Sequence, residues 1–195
     1  MKRGYPLNKN ELTKDNIVDF ILDLFARRGA EEYLGEAVSM AQHMEQSAAC
    51  AVADGATESL VIALLLHDIG HFIGDFPVEA LEKGIDNCHE DAGASFLAPY
   101  FSKAVTEPIR LHVAAKKYLC AVDNEYINRL SDASVQSLNV QGGPMTDDEV
   151  KHFESNPHHL SAIKARRYDD DGKVFGLTIR PIKDYRAQLE SLLTP

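Results

Sequence analysis

Apolar residues recur along this chain with the period of an α-helix, not of a strand. Ile17, Val18, Ile21, Leu22, Leu24 and Phe25 make a one-sided face, with Thr13 as the expected N-cap and Gly29 as the expected stop. A second helix is predicted over about 31–54, ended by Gly55, which suits the left-handed C-terminal position. Thr57 caps a third over about 58–72, whose first half is apolar nearly all round and therefore belongs at the centre of the core. From 74 to 87 the pattern breaks, and Pro77 and Gly84 punctuate a loop or short helical piece. Further helices are predicted over about 89–101, 105–122, 125–138, 158–168 and 182–193. Thr146-Asp147-Asp148-Glu149 opens another with capping-box spacing, after the turn Gln141-Gly142-Gly143-Pro144. Residues 173–179 alternate enough for a short extended piece at most. The expected fold class is all-α.

A chain of 195 residues is long enough for one hydrophobic core and too short for two large ones. Without a repeat or dividing linker, residues 1–195 are expected to form a single domain, with 1–30 an N-terminal helical extension. The formal charge of -10 repels phosphate backbones and anionic lipid, so neither a nucleic acid nor a membrane is the expected partner. A small anionic substrate would need a local cationic pocket. Cys50, Cys88 and Cys120 are odd in number and far apart, suggesting neither a disulfide framework nor a zinc knuckle. With no apolar leader or membrane-length stretch, the cytoplasm is the expected compartment. The oligomeric state is left open.

The stretch Leu64-Leu65-Leu66-His67-Asp68-Ile69-Gly70-His71-Phe72 sets two imidazoles and a carboxylate directly after an apolar run. Polar groups at the edge of a core must be paired or used. His43 lies inside the second predicted helix, His89 opens another, His112 sits in the middle of the next, and Asp169 stands near the end of a later one. Imidazole and carboxylate suit iron, manganese or zinc, and helices that each offer an inward ligand are how bundles build dinuclear sites. A carboxylate has two oxygens, so Asp68 could bridge two ions while His67 binds one. His71, four residues on, is expected to return to the face of His67. His67 and His71 also share the spacing of a zinc-protease helix, but Asp68 stands where that motif requires glutamate. His152, His158 and His159 read as surface residues.

With His43, the His67-Asp68 pair and Asp169, the chain resembles the HD-domain superfamily of metal-dependent phosphohydrolases, and His89 and His112 look like the extra ligands of its two-metal subset. Longer stretches are similar to a narrower branch, the mixed-valent diiron oxygenases that cleave 1-hydroxy-2-aminoethylphosphonates. These are Tyr33-Leu34-Gly35-Glu36, His67-Asp68-Ile69-Gly70-His71, His112-Val113-Ala114-Ala115-Lys116, Leu130-Ser131-Asp132-Ala133-Ser134 and Gln141-Gly142-Gly143-Pro144-Met145.

The resemblance implies an HD-domain bundle around two irons in the Fe(II)/Fe(III) state, with O2 as co-substrate. It implies His43, His67, Asp68, His89, His112 and Asp169 as ligands, with Asp68 bridging. It further implies a phosphonate pocket of His71, Lys116, Ser134, Ser137, Gln141 and Arg166; Ser137 is threonine in the family, so the hydroxyl is kept. Tyr33 and Glu36 look like a mobile pair that guards the metal and senses the substrate's amino end. Asp68, His71 and Lys116 are the expected catalytic groups.

The spacing agrees with that pocket: Lys116 lies one turn after His112, and Arg166 three residues before Asp169. Ile85-Asp86-Asn87-Cys88 stands where the aminoethylphosphonate enzyme has aromatic residues, so the expected substrate is a 1-hydroxy-2-aminoethylphosphonate or its N-methylated or trimethylated analogue, with the N-substitution left open and the amine met by Glu36, Asp86 and Tyr33. Two rivals are a phosphohydrolase of a nucleotide or phosphoester, using the same metals to activate water, and a metal-dependent ligand-sensing domain.

Overall fold

The apolar run at 60–66 is the centre of the molecule, and the remaining helices are arranged around it. The computed structural model describes residues 11–33, 35–74 and 86–195; most of the predicted loop at 74–87, with Pro77 and Gly84, and also Leu34 lie outside the described residues. Ten α-helices are described: α1 Ile17–Arg28, α2 Met40–Ala53, α3 Glu58–Leu65, α4 Gly70–Ile73, α5 His89–Leu97, α6 Lys103–Val122, α7 Asp132–Val140, α8 Asp147–Glu154, α9 His159–Asp171 and α10 Arg186–Ser191. No strand is present among the described residues, only the isolated bridges Glu32 to Ser39 and Phe101 to Leu193. The all-α expectation is met.

Thr57 accepts from the Leu60 amide and so starts α3, whose Leu60, Val61, Ile62, Ala63, Leu64 and Leu65 are all buried. Each large apolar side chain among them contributes about 1.5–3 kcal/mol by leaving water. Around α3 pack α2, α6 and α9; α6 also packs on α5 and, most extensively, on α9. Of the predicted N-terminal extension, 1–10 lie outside the described residues, and α1 buries Ile17, Val18, Phe20, Ile21, Leu24 and Phe25 in the same apolar cluster as α3.

Several boundaries differ from those predicted, each for a local reason. The N-cap of α1 is Asn16, not Thr13: a turn intervenes in which the Thr13 carbonyl accepts from Asn16 and Ile17. The second helix begins at Met40 and not near 31, because Ser39 and Gln42 form a reciprocal capping box and Gly35 takes φ +79°. The described residues of 31–39 therefore lie outside any helix, Tyr33 and Glu36 among them. The third helix stops at Leu65, and residues 66–69 turn before α4. The predicted helix over 125–138 is interrupted: Ile127–Arg129 is a short 3-10 turn, and the Ser131 hydroxyl caps α7 by accepting from the Ser134 amide. In the other direction, α9 runs on to Asp171 and so carries Asp169 within a helix. The last predicted helix divides into a 3-10 turn, Ile182–Tyr185, and α10. The capping box at Thr146 and Glu149 is present as predicted.

Candidate metal centre

The turn at 66–69 corrects the helical expectation for His67, Asp68 and His71, which do not share one continuous helix. It places His67 and Asp68 side by side in the core, 1% and 2% exposed. Gly70 allows the next layer to close on them: a Cβ there would stand 1.9 Å from the His89 carbonyl oxygen, so only glycine lets α5 approach this near. His43 comes from α2, His89 from the start of α5, His112 from α6 and Asp169 from α9, and all are buried.

Each imidazole is oriented through Nδ1. His43 faces the Gly172 carbonyl at 2.9 Å, His67 the Leu64 carbonyl at 2.7 Å, His112 the Ile109 carbonyl at 2.7 Å and His89 the Asn87 Oδ1 at 3.1 Å. Those oxygens only accept, so each Nδ1 carries the proton and, in the neutral ring, Nε2 presents a lone pair. The lone pairs converge. Nε2 of His43 and His67 are 3.0 Å apart, and Nε2 of His89 and His112 are 3.2 Å apart.

Asp68 faces both pairs, one oxygen to each. Its Oδ2 lies 3.3 Å from His67 Nε2 and 3.6 Å from His43 Nε2; its Oδ1 lies 3.1 Å from His89 Nε2 and 3.6 Å from His112 Nε2. Asp169 Oδ1 joins the first set, 3.2 Å from His43 Nε2. Asp68 Oδ2 and Asp169 Oδ1 are buried without a hydrogen-bond partner. Acceptors gathered this closely repel unless cations stand among them, so the geometry fits two ions, one per set.

The electrostatics agree. Burial opposes charge on His67, but the carboxylates of Asp68 and Asp169 outweigh it and hold the imidazolium up to about 9, a proton that a metal ion would displace. His112 is pushed down to about 3 by burial and by His89 and His67, so it offers a free lone pair. Burial alone would raise the Asp68 carboxyl; His67 and His89 overcome that and hold it well below the usual range.

Over the two sets lies a cavity of about 130 Å³. Tyr33, Glu36, Asp86, His71, Lys116, Ser134, Ser137, Gln141 and Arg166 all line it, so the residues singled out by resemblance come together. Tyr33 stacks on His43, centroids 3.9 Å apart at 14°. Lys116, 2% exposed, donates to Ser137 Oγ at 2.6 Å, and burial and Arg166 lower its pKa to about 7. Gln141 Oε1 is buried with no partner.

Arg166 lines the cavity and reaches Ser134 Oγ at 3.4 Å. It is a clamp before it is an anion fork: it donates to Asp169 Oδ2 at 2.7 Å, to the Tyr126 hydroxyl at 3.0 Å and to Asp170. By occupying Asp169 Oδ2 it leaves Oδ1 for the metal side.

Asn87, which sequence reasoning missed as a functional residue, sets two tautomers. Its Oδ1 accepts from the His89 amide at 3.3 Å and from His89 Nδ1, so its amide nitrogen faces His71 Nδ1 at 3.5 Å. His71 then carries its proton on Nε2, which is buried, unpartnered and part of a residue lining the cavity. His71, Asp68 and His89 are close enough to hold an ion together. The tautomer makes His71 a donor, however, and leaves the Nε2 lone pair of His112 to complete the second set. Lys173 and Ser131 were missed as well; both contact Glu36. A side-chain hydrogen bond two residues from a candidate ligand, or across two distant segments, leaves no periodic trace in sequence.

Convergent imidazoles and carboxylates beneath such a cavity define an all-α protein with a candidate metal centre. No family model matches the chain. It is 49% identical over 164 residues, 84% of each chain, to the glycine-betaine-forming 1-hydroxy-2-(trimethylamino)ethylphosphonate dioxygenase of Leisingera caerulea. It is 46% identical, over 84% of this chain and 82% of the other, to the hydroxymethylphosphonate dioxygenase of Gimesia maris. An uncharacterized protein of Acanthamoeba polyphaga mimivirus is 35% identical over 87% of this chain and 78% of its own. The chain belongs to the phosphonate dioxygenases, and it is accordingly an oxygenase. No helix among the described residues is long and apolar enough to cross a membrane.

Proposed function

We propose that this protein oxidatively cleaves the carbon–phosphorus bond of a 1-hydroxy-2-aminoethylphosphonate whose amine is N-methylated or trimethylated. One O2 is consumed: the carbon bearing the hydroxyl leaves as a carboxylate, phosphorus leaves as phosphate, and one proton is released. The observation that carries the reading is Asp68, whose two oxygens each face a different pair of imidazoles beneath a phosphonate-sized cavity. Its support is the near-half identity to two phosphonate dioxygenases.

His43, His67, Asp169 and Asp68 Oδ2 would hold one iron, and His89, His112 and Asp68 Oδ1 the other. When bound, the Fe(II)/Fe(III) pair supplies redox equivalents and the Lewis acidity that lowers the pKa of the substrate's hydroxyl. The chain's own groups bind and orient. Lys116, Ser134, Ser137, Gln141 and the Nε2–H of His71 surround the phosphonate, while Asp68 holds the floor. A Lys116 ammonium with a pKa near 7 can hold or give up a proton at a phosphonate oxygen. Tyr33, 7% exposed, covers His43 and excludes water from that side. The carboxylates of Glu36 and Asp86 and the Tyr33 ring favour a cationic end on the substrate.

The test is phosphate release from 1-hydroxy-2-(trimethylamino)ethylphosphonate and its less methylated analogues, in air and under argon. Release that requires air is expected. Release without oxygen from phosphoesters, with none from the phosphonates, would replace this reading by hydrolysis.

A further inference from the structure

The cavity must neutralise a dianion, and most of its cations are already committed. Arg166 is paired with Asp169 and Asp170, and Arg28 with Glu31. Lys116 is buried against a serine hydroxyl and carries only part of its charge near neutral pH. Lys173 is placed differently. Its Nζ stands between the two ends of the cavity, 3.0 Å from Ser134 Oγ on the anion side and 3.4 Å from Glu36 Oε1 on the amine side, and 5.7 Å from the Tyr33 ring centroid.

Its backbone is fixed on both sides. The Gly172 carbonyl meets His43 Nδ1, and Val174 exchanges two hydrogen bonds with the Gln46 side chain, at 2.9 and 2.8 Å. Lys173 can therefore change partner by rotating its side chain, with no movement of the metal cage.

We propose that Lys173 determines specificity as the internal counter-ion of Glu36, which a substrate's ammonium displaces so that the lysine charge passes to the phosphonate beside Ser134. The inference rests on the phosphonate reading above. A substrate with its own cation occupies Glu36 and gains Lys173 at its other end. An anion without a cation leaves Lys173 bound to Glu36 and meets a socket short of positive charge. Selectivity for ammonium-bearing phosphonates thus arises from an exchange of ion pairs, a coupling between two ends of one cavity.

The test is a double-mutant cycle on the iron-loaded enzyme under anaerobic conditions, with Glu36→Gln, Lys173→Met and both together. Calorimetry would follow binding of inorganic phosphate and of 1-hydroxy-2-(trimethylamino)ethylphosphonate. Glu36→Gln should tighten phosphate about fivefold when Lys173 is present and less than about twofold when it is Met. Lys173→Met should weaken the trimethylammonium phosphonate about tenfold and phosphate about threefold or less, and Lys173→Arg should restore most of the loss. Equal effects of Glu36→Gln in both backgrounds, or equal weakening of both ligands by Lys173→Met, would make Lys173 a plain anion contact and overturn the proposal. No effect of Lys173→Met or Lys173→Gln on either ligand would overturn it too. Failure of the substrate reading shows separately, as absent phosphate release by the wild-type enzyme in air, while the phosphate-binding cycle stays readable.

Discussion

At the floor of the cavity three imidazoles are pinned to main-chain carbonyls, those of Gly172, Leu64 and Ile109, whereas at the mouth Glu36, Lys173 and Ser131 hold one another through side chains alone. The floor is buried and its partners cannot be exchanged without unfolding a turn or helix end. The mouth is half-buried, and its ion pairs can be traded for substrate charges. Rigid donors keep a cage in shape for metal, and exchangeable pairs keep an entrance selective.

The largest effect expected is at the one residue shared by both halves of the floor. Asp68→Ala should abolish metal binding by both sets and reduce turnover by about 10³-fold or more, the scale of several kcal/mol of lost metal assistance. Metal analysis and phosphate release check it, and full retention of both would show that Asp68 is not the bridge. Next comes Gly70→Ala, whose Cβ would overlap the His89 carbonyl. Overpacking there should cost about 1–3 kcal/mol of stability, read from denaturant unfolding, and should lower metal content by displacing His89.

Asn87→Leu tests whether orientation without ligation matters. It should lower metal affinity or activity about 10–100-fold. It should also free the His71 tautomer, visible in nitrogen NMR of the apo protein. A smaller effect belongs to Lys116, whose pKa is depressed to about 7. Since the ammonium form binds the anion, affinity should fall as pH rises through 7, by at most about tenfold per unit, and Lys116→Met should bind more weakly and flatten that slope. The smallest effect serves as a control: Thr146→Ala removes the α8 cap and should cost about 1 kcal/mol with kcat/KM unchanged.

The same contrast governs what could be read from the sequence. The floor was legible as residue identity, because His43, His67, Asp68, His89, His112 and Asp169 are types that core positions rarely tolerate without a use. Their geometry was less so: the chain turns at 66–69, and the carboxylate placed by that turn, not by helical spacing, reaches both imidazole pairs. Helix starts with strong caps, such as those at Thr57 and Thr146, were legible to the residue, whereas the end of the helix begun at Thr57 was not. The stretch at 31–39 was not, since its apolar spacing imitates a helix and the competing capping box at Ser39 decides the boundary. Lys173 was illegible for another reason: its meaning lies in Glu36, far away in sequence, across the cavity.

The most direct measurement of the central claim is electron paramagnetic resonance with iron analysis on the anaerobic protein, before and after addition of 1-hydroxy-2-(trimethylamino)ethylphosphonate. Two irons per chain, with a coupled mixed-valent signal that shifts when the phosphonate binds, are predicted. A single iron per chain, or a signal indifferent to the phosphonate, would contradict a carboxylate-bridged pair beneath the cavity.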